Sequence, residues 1–375
     1  MPTTDPQARL DQLAALADKG GVDVVLVAPG PDLRYLTGYD AKPLERLTCL
    51  VVPAHGTAVL VVPTLERPAA EASPAGSLRI ADFGETDDAY AGVAALLEAQ
   101  RVQTDVVAVD NLMWAEKLLA FQRALPAAQI RLAGEFIIEM RIRKNPDEVA
   151  ALRAAGAAID SVHARMGEWL RPGRTEAEVA ADIADAILAA GHVSVDFTIV
   201  GSGPNGASPH HDSSERIIEP GDPVVVDIGG TMPSGYCSDS TRTYVAGGAD
   251  DGPPEGFADY YAVLRRAQDA ACAHARPGVT CASVDEAARS VIRDAGFGDY
   301  FIHRTGHGIG LQGHEDPYIV VGNERLLEPG MAFSVEPGIY LPGRHGARIE
   351  DILVCTETGA ERLNTTSRAL SVLPV

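Results

Sequence analysis

The 375-residue chain is 46% hydrophobic and 22% charged, the balance of a soluble globular protein, and it is long enough for two domains with a core each. Its 52 acidic against 31 basic residues leave a formal charge of -21, which repels phosphate backbones and anionic bilayers and argues against nucleic acid or membrane partners. Five scattered cysteines without CxxC spacing, no apolar run of transmembrane length and an N-terminus (MPTTDPQARLDQ) without a signal-peptide pattern give the expectation of a reduced, cytoplasmic protein.

Leu10, Leu13, Leu16 and Ala17 at helical spacing, closed by Gly20 and Gly21, predict a helix over 6–19. A strand is expected over 22–28, then the turn PGPD and the segment DLRYLTGY. Strands over 47–52 and 58–62 flank the turn AHGT, and the remainder alternates as strand 78–83, helix 87–100, strand 106–110, helix 114–124 and strand 130–132. Interleaved strands and helices make residues 1–140 an α/β domain.

The boundary falls in RIRKNPDE. Asn145 as N-cap, Pro146 in the first helical position and Glu148 completing a capping box start a helix expected to run to Leu170, and a second domain takes 145–375. Inside it, RPGRTEAEVAADIADAILAAG (171–191) aligns without gaps to RPGVTCASVDEAARSVIRDAG (276–296), with nine identities in 21 positions. Thr175/Thr280 and Gly191/Gly296 are capping signals, whereas Ala177/Ala282, Val179/Val284 and Ile187/Ile292 are interior positions that capping does not explain. The second domain therefore reads as a duplicated half-domain.

Between the two copies lies VVVDIGGTMPSGYCSDSTRTY. The apolar run Val224–Val226 is that of a strand buried on both faces, yet it ends in Asp227, and Asp239 follows across a Pro233/Gly235 turn. An ionised carboxylate taken out of water needs a cation or a bound metal, so two on a buried hairpin call for partners downstream. TGHGIG supplies His307, FSVEPGIY supplies Glu336 and ARIEDILV supplies Glu350, each in a short strand pattern. Four carboxylates and one imidazole suit manganese, cobalt, zinc or iron, and their four negative charges balance two divalent ions that would activate water for hydrolysis.

These motifs resemble the M24 metallopeptidases of the prolidase and aminopeptidase P type, with the creatinase or pita-bread fold. The 29 positions from His307 to Glu336 and the 14 from Glu336 to Glu350 are those of the family, and the match covers nearly the whole chain. Asp227 to Asp239 is 12 positions, one more than is commonest there. An odd shift inside a strand would turn one acid to the wrong face, so the extra residue is expected in the TMPSG turn. The resemblance implies an α/β creatinase-type N-terminal domain followed by an α+β pita-bread catalytic domain with an internal pseudo-twofold repeat. It also implies two divalent ions, manganese before cobalt or zinc, held by Asp227, Asp239, His307, Glu336 and Glu350.

Further residues follow from the resemblance. Glu336 is expected to act as general base beside its ligand role, and His210 and His314 to stabilise the substrate and the tetrahedral oxyanion. His303 and Arg348 are expected on the proline side; Arg348 also shares a strand face with Glu350, where a guanidinium would orient a carboxylate ligand. Asp32, Arg34 and Tyr35 in DLRY resemble a signature of small bacterial aminopeptidases P, and Arg34 is counted among the substrate-binding residues. The expected reaction is therefore removal of an N-terminal residue from peptides with proline in the second position, by a homodimer. The close alternative is an Xaa-Pro dipeptidase, which needs an arginine for the dipeptide carboxylate; Arg46 is the residue that could serve. Methionine aminopeptidase fits less well, given RIED and the extra N-terminal domain. A metal-free creatinase-like hydrolase or a non-catalytic binding relative would have lost ligand residues that are all present here.

Overall fold

The computed structural model describes residues 5–247 and 252–373, and the chain divides into two units between Arg141 and Ile142. The first unit carries helices α1 (Pro6–Lys19), α2 (Pro31–Thr37), α3 (Arg67–Ala72), α4 (Ala89–Ala99), α5 (Ala115–Ala124) and α6 (Gly134–Arg141). Its strands are β1 (Val24–Val27), β2 (Cys49–Pro53), β3 (Val59–Pro63), β4 (Arg79–Phe83), β5 (Val106–Val109) and β6 (Gln129–Leu132), in the sheet order β4-β3-β2-β1-β5-β6. The β1–β2 and β2–β3 pairs are antiparallel and the other three parallel. Fully buried β1, β2 and β3 are the continuous β-branched runs, and Val24, Leu26, Val51, Val59, Val93, Leu97 and Phe121 pack between sheet and helices. The sequence did not separate α3 and α6 from loop: α3 has six residues, too few to show a period, and α6 opens on Gly134 without a side-chain cap signal.

The second unit begins with α7 (Pro146–His163), whose Asn145–Glu148 capping box forms as the residues require. The helix stops at His163, seven residues short of Leu170. The spacing Val162, Met166, Leu170 suggests one helix, but a 3-10 turn over Met166–Glu168 carries Met166 and Leu170 into the same core instead. Then come α8 (Glu176–Ala189), β7 (Ser194–Ser202), β8 (Pro223–Thr231), β9 (Cys237–Ala246), α9 (Phe257–His274) and α10 (Cys281–Asp294). The chain continues through β10 (Gly306–Gly308), β11 (Glu315–Ile319), β12 (Ala332–Val335), β13 (Gly338–Leu341), β14 (His345–Arg348), β15 (Asp351–Cys355), β16 (Ala360–Arg362) and β17 (Ser371–Leu373). They form sheets of order β17-β9-β8-β7 and β11-β10-β12-β15-β16, with β13 and β14 as a separate hairpin.

The repeat seen in the sequence is a repeat in space. Thr175 and Thr280 cap α8 and α10, and each makes an isolated antiparallel bridge to a downstream residue, Thr175 to Ile217 and Thr280 to Leu326. Gly173 N–H donates to the Ile218 carbonyl as Gly278 N–H donates to that of Leu327, both at 2.9 Å, from left-handed glycines (φ 86° and 83°) that no other residue adopts as easily. Among the described residues no helix is long and apolar enough to cross a membrane, and the five cysteines form no disulfide.

Candidate metal centre and active site

Asp227 sits on β8 opposite Thr241, and Asp239 on β9 opposite Gly229. Asp239 is two residues from Thr241, so both carboxylates leave the same face of the hairpin. The ladder runs in one register from Pro223/Val245 to Thr231/Cys237, so the additional residue lies in the Met232–Tyr236 loop, closed by Gly235 N–H to the Met232 carbonyl at 2.7 Å.

His307 comes from β10, where the strands approach so closely that only glycine fits on either side. A Cβ on Gly306 would stand 1.9 Å from the Ser334 carbonyl oxygen, and one on Gly308 2.2 Å from that of Asp316. Ser334 of β12 accepts from His307 N–H (3.0 Å) and donates to Glu336 Oε1 (3.0 Å), locking the two ligand candidates together. Glu336 leaves β12 at Pro337, its N–H held by the Thr305 carbonyl at 2.8 Å. Glu350 stands between β14 and β15, with its N–H on the Thr241 carbonyl and Thr241 Oγ1 donating to its Oε2 at 2.8 Å.

The five side chains converge. His307 Nε2 is 3.2 Å from Glu336 Oε1 and 3.6 Å from Asp239 Oδ2, and the sets His307/Glu336/Glu350 and Asp227/Asp239/Glu350 each offer three donor atoms within 4.8 Å. His307 Nδ1 faces the Gly308 carbonyl at 3.0 Å and must donate to it, which leaves Nε2 as a lone pair aimed at two carboxylates. Asp227 and Glu350 each have one oxygen fixed by protein and a second, Oδ1 and Oε1, buried without a hydrogen-bond partner. A lone pair among acids and two orphaned carboxylate oxygens are what a pair of divalent cations would satisfy. Without cations, burial and then the neighbouring carboxylates push the Asp239 and Glu350 carboxyls well above the usual range. For Glu336 the burial that would raise the carboxyl is outweighed when both ring nitrogens of His307 carry protons: the Nε2–H bond of His307 and then the charges of His307, His303 and Arg348 hold it low.

Arg348 organises the rim. Its side chain is 2% exposed and donates to Asp227 Oδ2 (2.6 Å), Tyr340 Oη (2.7 Å), Thr241 Oγ1 (3.2 Å) and the Pro209 carbonyl (3.2 Å). Tyr340 in turn reaches His303 Nε2 at 2.9 Å, and His303 Nδ1 faces the Arg304 carbonyl at 2.7 Å. With Nδ1 donating, Nε2 accepts from the Tyr340 hydroxyl, so both ring nitrogens of His303 are used within the protein.

The pattern of metallopeptidase family M24 matches residues 150–357, and that of the creatinase/prolidase N-terminal domain matches residues 9–143. The chain belongs to metallopeptidase family M24. It is 52% identical over 369 residues to the probable dipeptidase PepE of Mycobacterium tuberculosis (strain ATCC 25618 / H37Rv), covering 98% of this chain and 96% of that protein. It is 37% identical over 370 residues to the Xaa-Pro dipeptidase of Lactobacillus delbrueckii subsp. lactis, covering 98% and 99%. The crystal structure of dipeptidase PepE from Mycobacterium ulcerans is similar with a TM-score of 0.92 at 51% identity, covering 99% and 98%. The M24 fold, a creatinase-type N-terminal domain followed by a pita-bread catalytic domain, is the one the sequence motifs implied.

Around the M24 cluster, His314 lies against His307, their ring centres 3.8 Å apart and tilted by 42°, and Arg304 Nη2 donates to its Nδ1 at 3.1 Å. Though His314 reaches solvent, partial burial and then the neighbouring His307 and Arg304 lower it to about 4, and the Arg304 bond to Nδ1 places the proton of the uncharged ring on Nε2. His210 is exposed, next to the Pro209 carbonyl that Arg348 holds, and close enough to His303 and His314 to influence both. Arg34 lies in the N-terminal unit, its Nη1 3.1 Å from Asp40. There Asp32 pairs with Arg141 at 2.5 Å and the Tyr35 hydroxyl donates to the Met140 carbonyl at 2.8 Å, contacts that hold α2 in its own unit. Arg46 is bonded by Glu85 (3.0 and 3.1 Å) and Glu45 (2.6 Å).

Sequence reasoning missed Tyr340, Thr241 and Ser334. A parity signal existed for Tyr340: Gly338 pairs with Arg348 across the β13–β14 hairpin, so Tyr340, two residues on, shares the face of Arg348. For Thr241 the alternation Asp239/Thr241 places a hydroxyl beside the acids, but nothing in the sequence says that Glu350 arrives opposite it.

Proposed function

We propose that the chain is a two-metal peptidase that hydrolyses Xaa-Pro dipeptides. The observation that carries this reading is the buried cluster of four carboxylates and one imidazole with its orphaned oxygens, in a chain whose full-length relatives bear dipeptidase descriptions. Those relatives favour the dipeptidase over the Xaa-Pro aminopeptidase expected from the sequence. The DLRY segment that tipped the sequence reading weighs less once Asp32 and Tyr35 are engaged by Arg141 and Met140.

Asp227, Asp239, His307, Glu336 and Glu350 would hold two divalent ions, manganese first, with cobalt or zinc suited to the same donors. Such ions supply Lewis acidity toward the scissile carbonyl and an activated water. Glu336 takes the proton of the attacking water and returns it to the proline nitrogen as the C–N bond breaks. His314 donates Nε2–H to the developing oxyanion, a role open to it because Arg304 occupies Nδ1 and leaves the proton on Nε2. His210 binds substrate beside it. Arg348, backed by Tyr340 and His303, orients Asp227 and closes the proline side. The Xaa-Pro amide has no N–H, so recognition relies on its carbonyl and the ring rather than on that donor.

The test is hydrolysis of Xaa-Pro and Xaa-Pro-Yaa peptides by metal-depleted protein, with manganese, cobalt or zinc restored singly. The dipeptide should be cleaved with the higher kcat/KM, and only with metal. Preference for the tripeptide would return the assignment to aminopeptidase, and metal-independent turnover would overturn both. Sedimentation of the loaded protein tests the expected homodimer.

A further inference from the structure

Two buried carboxylates outside the metal cluster hold the histidine-bearing segments of the catalytic unit. Glu176, at the first position of α8, is fully buried and gathers six donors. They are Ser202 N–H (2.7 Å) and Oγ (2.6 Å), Asn205 Nδ2 (3.1 Å), His211 Nε2 (2.7 Å), and Ser214 N–H (3.1 Å) and Oγ (2.6 Å). All six come from residues 202–214, so both ends of the segment that carries Pro209 and His210 are tied to one carboxylate. The segment also lies against β14, where a Cβ on Gly346 would stand 2.0 Å from the Gly206 carbonyl oxygen.

Asp285 performs the corresponding task in the second copy of the repeat. It is 1% exposed on α10, and its Oδ1 accepts from Thr305 N–H (3.1 Å) and Thr305 Oγ1 (2.8 Å). Arg289, one turn on, is bound by Asp285 at 2.8 and 2.9 Å and donates to the carbonyls of Phe301 (3.1 Å) and His303 (2.9 Å). Thr305 then holds Glu336 N–H through its own carbonyl. The two acids do not align in the repeat: Glu176 corresponds to Cys281 and Asp285 to Ala180. Equivalent helices therefore reached the same arrangement from different positions, which points to selection for the arrangement and not to inheritance of one residue.

We propose that Glu176 and Asp285 are positioning residues, each fixing the segment of its own half that carries a histidine of the site: residues 202–214 with His210, beside the substrate, and 301–305 with His303, behind Tyr340 and Arg348. Neither carboxylate touches the metal-ligand candidates, and neither is a catalytic residue. Their requirement is geometric. A loop that carries a histidine of a reacting site must be held within a fraction of an ångström, and donors gathered on a buried anion, directly or through a paired arginine, do so. The assignment rests on the peptidase reading above for its kinetic consequence but not for its structural one.

The experiment compares wild type, Glu176→Gln and Asp285→Asn as metal-loaded proteins. It uses hydrogen exchange resolved by peptide, elemental analysis, and kcat and KM on Xaa-Pro dipeptides. An amide in place of either carboxylate turns an N–H₂ toward N–H and O–H donors, so exchange should quicken by about tenfold or more within the tied segment. Glu176→Gln should loosen 203–214 and leave 298–306 protected; Asp285→Asn should do the reverse. Both should keep two metals, and KM for Glu176→Gln should rise more than kcat falls. If a variant does not fold, His211→Asn and Ser214→Ala remove single donors from Glu176, and Arg289→Lys weakens the Asp285 arrangement, with the same local signatures expected. Unchanged exchange in the tied segments, or an even rise across the unit at constant KM, would overturn the proposal. A wild type inactive on Xaa-Pro peptides that still shows the two local exchange signatures would refute the peptidase reading and leave the positioning role standing.

Discussion

Tyr340→Phe removes one oxygen atom and no volume from a buried site, so its effect reads the hydrogen bonds alone. The hydroxyl accepts from the Arg348 guanidinium at 2.7 Å and donates to His303 Nε2 at 2.9 Å, in a side chain 2% exposed. A bond to a charged group contributes about 1.5–3 kcal/mol and a neutral one about 0.5–1.5 kcal/mol, and neither orphaned partner has water to turn to, so the loss should be about 2–4 kcal/mol. For a unit of this size that is a fall in Tm of roughly 5–15 °C. Arg348 keeps Asp227 but loses the stop that sets its angle, and a loosened partner of a metal ligand lowers metal affinity about 10- to 100-fold. Thermal unfolding of the metal-free protein and chelator competition for manganese measure the two effects separately. A Tm within about 2 °C of wild type together with unchanged metal affinity would show that the Arg348–Tyr340–His303 chain does not orient Asp227.

Glu336→Gln should keep the fold, because the amide oxygen can still accept from Ser334, and lose about 10²–10⁴ in kcat through loss of the general base; near wild-type turnover at saturating metal would sink that role. Asp239→Ala should bind fewer than two ions, and two per chain by elemental analysis would show that a different acid completes the cluster. In the metal-free chain Asp239 and Glu350 keep their protons to higher pH than they would unfolded, so their contribution is complete below about pH 4 and is lost as pH rises through their folded values. Metal-loaded protein should show the opposite trend in acid, since protons compete with cations for the same oxygens; parallel pH–stability curves with and without metal would contradict this. His163, buried between Tyr244 Oη and the Ser240 carbonyl, is lowered by burial to about 3, so its contribution is full above about pH 6.5 and drains away as pH falls toward 3. Replacing it with Gln should flatten that part of the curve, and an unchanged acid slope would argue against a neutral buried ring.

What the sequence showed and what it hid divide along one line, the distance over which a residue's meaning is decided. The Asn145–Glu148 capping box, the Thr-capped repeat helices and the β8–β9 hairpin are local, and each is written within a few residues. The extra residue between Asp227 and Asp239 was legible for the same reason. Strand parity allows it only in the loop, and the unbroken register from Thr231/Cys237 to Pro223/Val245 is what that parity demands. The groups that orient the ligand candidates are not local. Thr241 meets Glu350 across 109 residues, Arg348 meets Asp227 across 121, and Asp285 meets Thr305 only because α10 packs over the segment it ties. Periodicity carries no information about such encounters.

The non-local contacts also explain why the cluster takes its residues from both halves of the repeat. β8 and β9 of the first half contribute Asp227 and Asp239; β10, β12 and the β14–β15 junction of the second contribute His307, Glu336 and Glu350. Thr241 to Glu350 and Arg348 to Asp227 are bonds between the halves, made by residues adjacent to the ligands or by the ligands themselves. A cation held here would therefore close the seam of a duplicated domain as well as equip a reaction. Ionised together, the four acids would repel one another across that seam, which is why Asp239 and Glu350 hold their protons without cations, and the ions would relieve that cost. Such an arrangement would make folding and metal loading one coupled equilibrium, and the buried carboxylates of the two repeat helices, Glu176 and Asp285, stand away from the seam, where they fix loops without adding to the repulsion.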